Sequence, residues 1–192
     1  MPGQRGSSRS HTCVESLQAE VATATDTWAR YKLQRKLFAI GEDFWIESER
    51  GEQVFRVDGK AVSIRHKFLL EDRNGTELLT VESKLLAPQP TMTIERQGQR
   101  YATVTKALFT FLHQQYTIQV DGGPAYDAEG DITNHEYSVQ ANGAQVAQIS
   151  RRWFSIRDAY GIAIAPGQDE PLLLAAPVCI DEISEREREE RR

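Results

Sequence analysis

One apolar stretch near the end of the chain, EPLLLAAPVCIDEI at residues 170–183, constrains the fold more than any other part of the sequence. Residues 172–180 are apolar without a break, and acidic residues lie on both sides of them. A helix that is apolar on every side has to be buried on every side. A bilayer span needs about 20 apolar residues, roughly twice this run. The stretch therefore predicts a helix in the protein core and no transmembrane segment.

Two prolines bear on where this helix begins. Pro171 suits a first helical turn, because the N–H that it lacks would have no partner there, and Asp169 or Glu170 is suited to cap that start. Pro177 removes a backbone hydrogen bond from the middle of the run, which costs about 3 kcal/mol in a helix interior. We therefore expect either a kink at Pro177 or a helix that begins only near Leu174.

Short stretches of alternating apolar and polar residues fill the chain between residue 28 and this helix. In QQYTIQV at residues 114–120, for example, Tyr116, Ile118 and Val120 alternate with polar neighbours. Turn residues separate such stretches about every ten positions, which predicts about a dozen short strands. Closing consecutive strands into a barrel removes exposed sheet edges. The predicted fold is mainly β, a closed antiparallel barrel around the C-terminal hydrophobic helix.

An internal pattern recurs in four segments of the chain. In each one, an apolar residue follows three positions after a glycine, and a β-branched residue follows six positions after it. The segments begin at Gly51, Gly75, Gly98 and Gly143. Each segment is followed by a basic residue, and these residues are Lys60, Lys84, Lys106 and Arg151. A repeated hairpin with a cation extending from each strand end explains the pattern, and it predicts that these cations lie at equivalent ends of different strands.

The length of 192 residues fits one domain with tails. We predict a barrel domain at residues 28–183, a disordered or weakly helical N-terminal tail at residues 1–27 and a charged C-terminal tail at residues 184–192. The beginning of the chain is polar and rich in Gly and Ser, so it buries too little surface to offset the entropy of ordering. The mixed charges at the other end are typical of a solvated, fraying helix end or of a tail.

Cysteine usage indicates a reducing compartment. Cys13 lies in the predicted tail and Cys179 in the predicted buried helix, so we expect no disulfide between them. Residues 1–29 contain no apolar run of signal-peptide length. The expected location is the cytoplasm.

Several widespread catalytic motifs are missing from the sequence. It has no Gly-x-Ser-x-Gly elbow, no His-Glu-x-x-His zinc motif and no Gly-x-x-x-x-Gly-Lys loop, and its histidines are scattered. We therefore predict a non-catalytic protein that has no catalytic residues and no cofactor. The net charge of −5 argues against a nucleic-acid partner.

Three acidic residues alternate in sequence and form a candidate metal site: Asp127, Glu129 and Asp131. On a strand they would share one face, as solvated strand residues do. Turned together by a loop, they would offer the oxygen ligands that a hard cation such as Ca²⁺ prefers. The segment lacks the full loop and closing glutamate of an EF-hand, so a solvated strand face is the simpler interpretation.

Cations at the ends of the repeated segments are candidates for anion binding. Lys84, Lys106, Arg151 and the adjacent Arg152 would form a basic strip if their strands are neighbours. Trp153 follows directly, and an aromatic ring beside cations is a combination that lipid-headgroup surfaces use. Against this hypothesis, the chain is acidic overall and its cations are interleaved with glutamates.

Four segments together resemble the LURP-one-related family. They are YKLQRKLF at residues 31–38, DRNGTELLTV at 72–81, GAQVAQISRRWF at 143–154 and LLLAAPVCID at 172–181. This family belongs to the tubby-like superfamily, which also includes the phospholipid scramblases, and the resemblance covers roughly residues 28–183. It implies a closed antiparallel barrel threaded by a C-terminal hydrophobic helix. Pro177 departs from the unbroken helix that is usual in the family.

The function that this resemblance implies is broad. Tubby members bind phosphoinositides through basic residues on the barrel wall, scramblase relatives are linked to calcium, and some plant members of the family are linked to defence. No lipid-binding motif transfers residue by residue. We expect a barrel module that binds an anionic ligand, such as a phospholipid headgroup at a membrane surface. The alternatives are a protein–protein interaction scaffold in stress or defence, or an enzyme whose site is not visible in the sequence.

Overall fold

The computed structural model describes residues 27–34, 43–58, 67–84, 88–107, 114–153, 159–190 and 192. This part of the chain contains twelve β-strands followed by one α-helix. The strands are β1 (Ala29–Gln34), β2 (Phe44–Ser48), β3 (Gln53–Asp58), β4 (Lys67–Asp72), β5 (Glu77–Ser83), β6 (Thr91–Arg96), β7 (Gln99–Lys106), β8 (Gln115–Val120), β9 (Ala125–Asp131), β10 (Glu136–Ala141), β11 (Ala144–Ser150) and β12 (Ala159–Ile164). The helix, α1, spans Glu170–Glu190.

All of these strands belong to one closed antiparallel barrel. Each strand pairs with its neighbours along the chain, and β1 also pairs with β12. Tyr31 of β1, for example, lies opposite Ile162 of β12 on one side and opposite Ser48 of β2 on the other. The prediction of a mainly β fold, a closed barrel with a C-terminal helix, is confirmed.

The up-and-down order of the strands gives the barrel two different ends. Odd-numbered strands all run in one direction, because every pair of neighbours is antiparallel. Where odd-numbered strands begin, tight turns precede two of them: Gln97 and Gly98 have φ of 55° and 73°, and Asn142 and Gly143 have φ of 51° and 77°. Positive φ at both positions is typical of two-residue hairpin turns. We call this the proximal end, because α1 begins there, and the opposite one the distal end.

Helix α1 occupies the interior of the barrel. Residues 172–180 are buried without exception. The side chains that alternate inward along the strands form an apolar wall around them, and fully buried examples are Leu33, Ile46, Leu70, Ile94, Ile118, Val139 and Ile162. A helix that is apolar on every side is thus enclosed on every side, as the sequence predicts.

Asp169 caps the start of α1 at the proximal end. Its Oδ1 accepts a hydrogen bond from the backbone N–H of Leu172 at 3.2 Å, which is the bond of an N-cap side chain. Arg96 of β6 donates to both carboxylate oxygens at 2.8 and 2.7 Å, and the Tyr101 hydroxyl of β7 donates to Oδ2 at 2.5 Å. Pro171 lies in the first turn, as predicted.

Pro177 lies inside α1 without interrupting the helix, which runs from Glu170 to Glu190. The expectation that the helix begins only near Leu174 is wrong, because the Asp169 cap starts it earlier; the backbone N–H of Leu173 already bonds to the Asp169 carbonyl at 3.0 Å. Pro177 is itself buried in the core, so burial of its ring offsets part of the lost hydrogen bond.

Residues 184–190 continue α1 beyond the apolar core. Of the two alternatives for the charged segment, a helix end or a tail, the structure shows a helix end. Residues 1–26, most of the predicted N-terminal tail, lie outside the described residues and include Cys13. Cys179 is a free, buried thiol. Among the described residues, no helix combines the length and the apolar character that a membrane span requires.

Candidate functional site at the distal end

Helix α1 is bonded to the barrel wall where it reaches the distal end. Lys106, the last residue of β7, forms an ion pair with Glu187, and Arg186 donates a hydrogen bond to the hydroxyl of Ser83 at the end of β5. The side chains of Lys106 and Glu187 are only 15% and 19% exposed. These contacts fix the last turns of the helix against β5 and β7.

His135, in the turn between β9 and β10, contacts the same part of the helix. Its Nε2 lies 2.9 Å from Oδ1 and 3.0 Å from Oδ2 of Asp181. Its ring stacks on Tyr160 of β12 with 4.4 Å between centroids, and the Tyr160 hydroxyl donates to Asp181 Oδ2 at 3.3 Å. The backbone of His135 has a φ of 55°, and its N–H donates to the carbonyl of Ile132 at 3.1 Å. Asp181 thereby links α1 to two separate parts of the barrel wall.

The hydrogen bond to Asp181 sets the tautomer of the imidazole. A carboxylate can only accept a hydrogen bond, so the hydrogen is on Nε2. In a neutral ring Nδ1 is then an acceptor. This Nδ1 is buried, and no group in the part of the chain that the structure describes bonds to it. The His135 side chain is 6% exposed.

Three tyrosine hydroxyl groups surround this part of the interior. Tyr116 and Ser184 lie 2.8 Å apart between their oxygens, and burial raises the pKa of Tyr116 to about 12. Tyr137 is fully buried, and burial together with the nearby Asp181 carboxylate raises its pKa well above the usual value. Burial and Asp181 raise the pKa of Tyr160 in the same way. The distal interior therefore holds neutral tyrosine hydroxyl groups around the Asp181 carboxylate, next to the apolar core.

A cavity of about 90 Å³ lies beside His135 at this end of the barrel. One wall is the β9–β10 turn and the other is the last part of α1. The polar residues that line it are Thr133, His135, Asp181, Ser184, Glu185 and Arg188. A polar cavity of this size has room for several waters or for a small polar molecule.

The predicted anion-binding residues all lie at the distal end. Lys84 directly follows β5, Lys106 ends β7, and Arg151 and Arg152 directly follow β11. The recurring distance from turn glycine to cation indeed equals the length of one strand, from the proximal turn to the distal rim. Lys60, the remaining cation of the pattern, lies outside the described residues.

These cations form two groups and do not converge on one point. Lys84 and Lys106 flank β6, where their backbone N–H groups donate to the carbonyls of Thr91 at 2.9 Å and Pro90 at 3.4 Å. Arg151 and Arg152 are separated from them by β8, β9 and β10. Lys84 is exposed and the Arg152 side chain is 85% exposed, whereas Lys106 is turned inward to the helix.

Trp153 lies next to the second basic group. It is 38% exposed, and the guanidinium of Arg30 lies 5.9 Å from the centroid of its ring. Glu136 holds the beginning of the same segment, because its carboxylate accepts the backbone N–H of Arg151 at 3.0 Å and lies 3.8 Å from Nε of Arg152. The turn after β11 thus presents cations and an aromatic ring together.

The three acids of the candidate metal site share one face of β9, as a strand predicts. Each one is engaged separately: Asp127 accepts from Thr117 at 3.0 Å, Glu129 from Gln115 at 2.6 Å, and Asp131 from the side chain of Asn134 at 2.8 Å. The described residues contain no group of three His, Cys, Asp or Glu side chains placed to hold a metal ion. The arrangement is that of a hydrogen-bonded outer strand face.

Sequence reasoning did not select His135 as a site residue. Its partner Asp181 lies 46 positions further along the chain and on a different element, so no local pattern joins the two. The available signal was the acidic end of the apolar run, since Asp181 directly follows residues 172–180. A carboxylate at that position needs hydrogen-bond donors from the barrel wall. A histidine in a turn is one of the side chains that can donate such a bond.

Comparison with known proteins identifies relatives of this barrel. A protein of Arabidopsis thaliana solved by X-ray crystallography, AT5G01750, shares the fold with a TM-score of 0.62 at 18% identity, over 82% of this chain and 91% of that one. The uncharacterised protein YxjI of Bacillus subtilis (strain 168) is 25% identical over 149 residues, which cover 78% of this chain and 90% of YxjI. The LURP-one-related family model matches residues 29–181, from the first strand to Asp181 in α1, so the chain belongs to the LURP-one-related family.

Proposed function

We propose that this chain is a cytoplasmic, non-catalytic module whose distal rim binds an anionic phospholipid surface. The observation that carries the proposal is the position of the four candidate cations at one end of a closed barrel. These are Lys84, Lys106, Arg151 and Arg152. Odd-numbered strands finish at this end, so the cations face the same side of the molecule although they are far apart in sequence.

Lys84, Arg151 and Arg152 supply the contact with the lipid in this proposal. Lys106 has a different role, because its ion pair with Glu187 holds α1 in place. The contact residues occupy two separate arcs of the rim, on the β5 side and on the β11 side. A surface with many negative charges can meet both arcs at once, which a single small anion cannot do.

The expected strength of binding follows from the number of exposed cations. Each Lys or Arg near an anionic membrane contributes about 1 kcal/mol. Binding therefore needs several cations together, and it weakens as salt screens exposed charges. Trp153 beside Arg152 adds an amphipathic ring of the kind that is enriched at membrane interfaces.

The non-catalytic part of the proposal is supported by the way the barrel is filled. Residues 172–180 of α1 occupy its centre, where a barrel with an open interior would hold a substrate. Cys179 is buried, and burial raises the pKa of its thiol, which keeps this sulfur protonated and a poor nucleophile. A free thiol also suits a reducing, cytoplasmic setting.

Vesicle co-sedimentation tests the lipid proposal. The variant K84A/R151A/R152A is compared with wild type and with R50A/R73A/R100A, which removes the same number of cations from the proximal half of the barrel. Neutral phosphatidylcholine vesicles and vesicles that also contain anionic phosphatidylglycerol are used at low and at high salt. Wild type and the proximal variant should bind anionic vesicles at low salt only, and the distal variant should bind about a hundredfold more weakly.

Two results would overturn the proposal, provided that circular dichroism shows all three proteins folded. One is equal binding by the distal and proximal variants, because the rim would then have no special role. The other is the absence of wild-type binding at low salt. Either result leaves a protein-interaction scaffold as the function to test next.

A further inference from the structure

We propose that the cavity beside His135 binds a primary ammonium group, carried by a small amine or by an amine-bearing headgroup. This inference does not depend on the lipid contact of the outer rim. It follows from three features of the cavity: a buried acceptor without a partner, an excess of negative charge, and walls that come from two different elements.

The buried acceptor is His135 Nδ1. In the neutral imidazole, Nε2 donates to Asp181 at 2.9 Å and Nδ1 carries the lone pair; Nδ1 is buried without a partner among the described residues. An unsatisfied buried polar atom costs about 1–3 kcal/mol. His135 is one of the residues that line the cavity.

The charges around the cavity favour a cationic donor. Asp181 and Glu185 are its carboxylates and Arg188 is its cation. Arg188 already donates to Glu185 at 3.1 Å. Asp181 accepts hydrogen bonds from His135 and Tyr160. When His135 is neutral, no cation in the described part of the chain pairs with Asp181, and the cavity keeps a net negative charge. An anion would be repelled here, whereas an ammonium group brings a positive charge and several N–H donors.

The position of the cavity gives such binding a structural effect. Thr133 and His135 belong to the β9–β10 turn, and Asp181, Ser184 and Arg188 belong to α1. An ammonium group held between them would connect the turn to the end of the helix. It would therefore stabilise the packing of α1 against the β9–β10 turn at the distal end of the barrel.

Nuclear magnetic resonance of the ¹⁵N-labelled full-length chain tests this inference. Two-bond ¹H–¹⁵N spectra of the histidine rings report on Nδ1 and Nε2 separately. Ethanolamine should shift the Nδ1 resonance of His135 in a saturable way. Tetramethylammonium has the same charge but no N–H, and we expect it to bind at least tenfold more weakly. Vesicles of phosphatidylcholine with and without phosphatidylethanolamine then show whether a headgroup can supply the amine.

The variant His135→Gln provides the matched control. Glutamine keeps an N–H donor for Asp181 but has no acceptor at the position of Nδ1, and Gln97 shows that this chain accommodates glutamine at a φ of 55°. The ethanolamine-induced shifts of the Thr133 and Ser184 amides should disappear in this variant.

Three results would overturn the inference: no saturable shift with ethanolamine, an equal response to tetramethylammonium, or an unchanged response in His135→Gln. The first result would mean that only water forms a hydrogen bond with Nδ1. If the glutamine variant does not fold, the contrast between the two cations in wild type still decides the question.

Discussion

Gly130 of β9 lies so close to Tyr137 of β10 that a Cβ on residue 130 would come within 2.8 Å of the Tyr137 Cα. The two residues are partners in the barrel register, one pair away from the turn that carries His135. Gly130 also has a φ of 137°, a conformation that side chains with a Cβ rarely adopt. This contact therefore requires a glycine for two independent reasons.

Gly130→Ala should destabilise the barrel by about 2–4 kcal/mol, because a strained backbone and a backbone clash act together. Gly143→Ala is the matched control. Gly143 has a φ of 77°, but nothing lies within 4 Å of its Cβ position, so about 1 kcal/mol is expected there. Urea denaturation measures both values, and equal losses would contradict the importance of the Gly130 contact.

Asp169→Ala should lower the free energy of unfolding by about 1–3 kcal/mol, because it removes an N-cap and leaves Arg96 and Tyr101 without their shared acceptor. Asp121→Ala breaks only the ion pair with Arg100, whose side chain is 62% exposed. Exposed pairs contribute about 0–1 kcal/mol, so this variant is the control. A loss for Asp169→Ala no larger than that for Asp121→Ala would show that the cap is unimportant.

Leu173→Asp tests the position of α1 in the core. Leu173 is fully buried, and an unpaired charge at such a place costs several kcal/mol even after relaxation. We expect the variant to be unfolded or insoluble, whereas Leu173→Met, which conserves volume, should lose less than about 1.5 kcal/mol. A soluble Leu173→Asp variant that melts like wild type would place the helix outside the core.

The barrel and its helix were predictable because their signals are local. Alternation along each strand and an apolar run at residues 172–180 need no knowledge of distant contacts. The distal position of Lys84, Lys106 and Arg151 was also predictable, since the distance from turn glycine to cation spans one strand.

Contacts that depend on the depth and rotation of α1 could not be predicted in this way. Lys84 and Lys106 have the same place in the repeated pattern, yet only Lys106 points into the barrel and meets Glu187. The pairing of His135 with Asp181 likewise depends on how far the helix extends through the barrel. The alternative of a helix start near Leu174 was wrong for a different reason, since the Asp169 cap, to which Arg96 donates, begins α1 earlier.

The different surroundings of Lys84 and Lys106 lead to opposite expectations for two similar substitutions. Lys84→Ala should weaken binding to anionic vesicles and leave stability unchanged, because Lys84 is exposed. Lys106→Ala should lower stability by about 1–3 kcal/mol, between the values of exposed and buried pairs, because it leaves Glu187 without this cation. Co-sedimentation and urea denaturation of both variants provide the comparison. Equal effects on binding would mean that Lys106 also faces the membrane.

Stability should fall steeply at alkaline pH because of the tyrosines at the distal end. Burial raises the pKa of Tyr116 to about 12 and that of Tyr137 and Tyr160 well above 10, while in the unfolded chain each ionises near pH 10. Above about pH 10 the unfolded state therefore binds fewer protons than the native state, and the free energy of unfolding decreases as pH rises. Each tyrosine adds up to about 1.4 kcal/mol per pH unit to this slope.

Denaturation at a series of pH values from 8 to 12, followed by circular dichroism and by tyrosinate absorbance, measures this slope. Wild type should be stable to about pH 10 and then lose stability, and absorbance from these tyrosines should appear together with unfolding. Tyr116→Phe should be less stable at every pH by about 1 kcal/mol, because the bond to Ser184 is lost. Between pH 10 and 12, however, its slope should be shallower by up to about 1.4 kcal/mol per pH unit. Identical slopes in the two proteins, or tyrosinate formation at these positions in a folded barrel, would show that the distal hydroxyl groups are open to solvent.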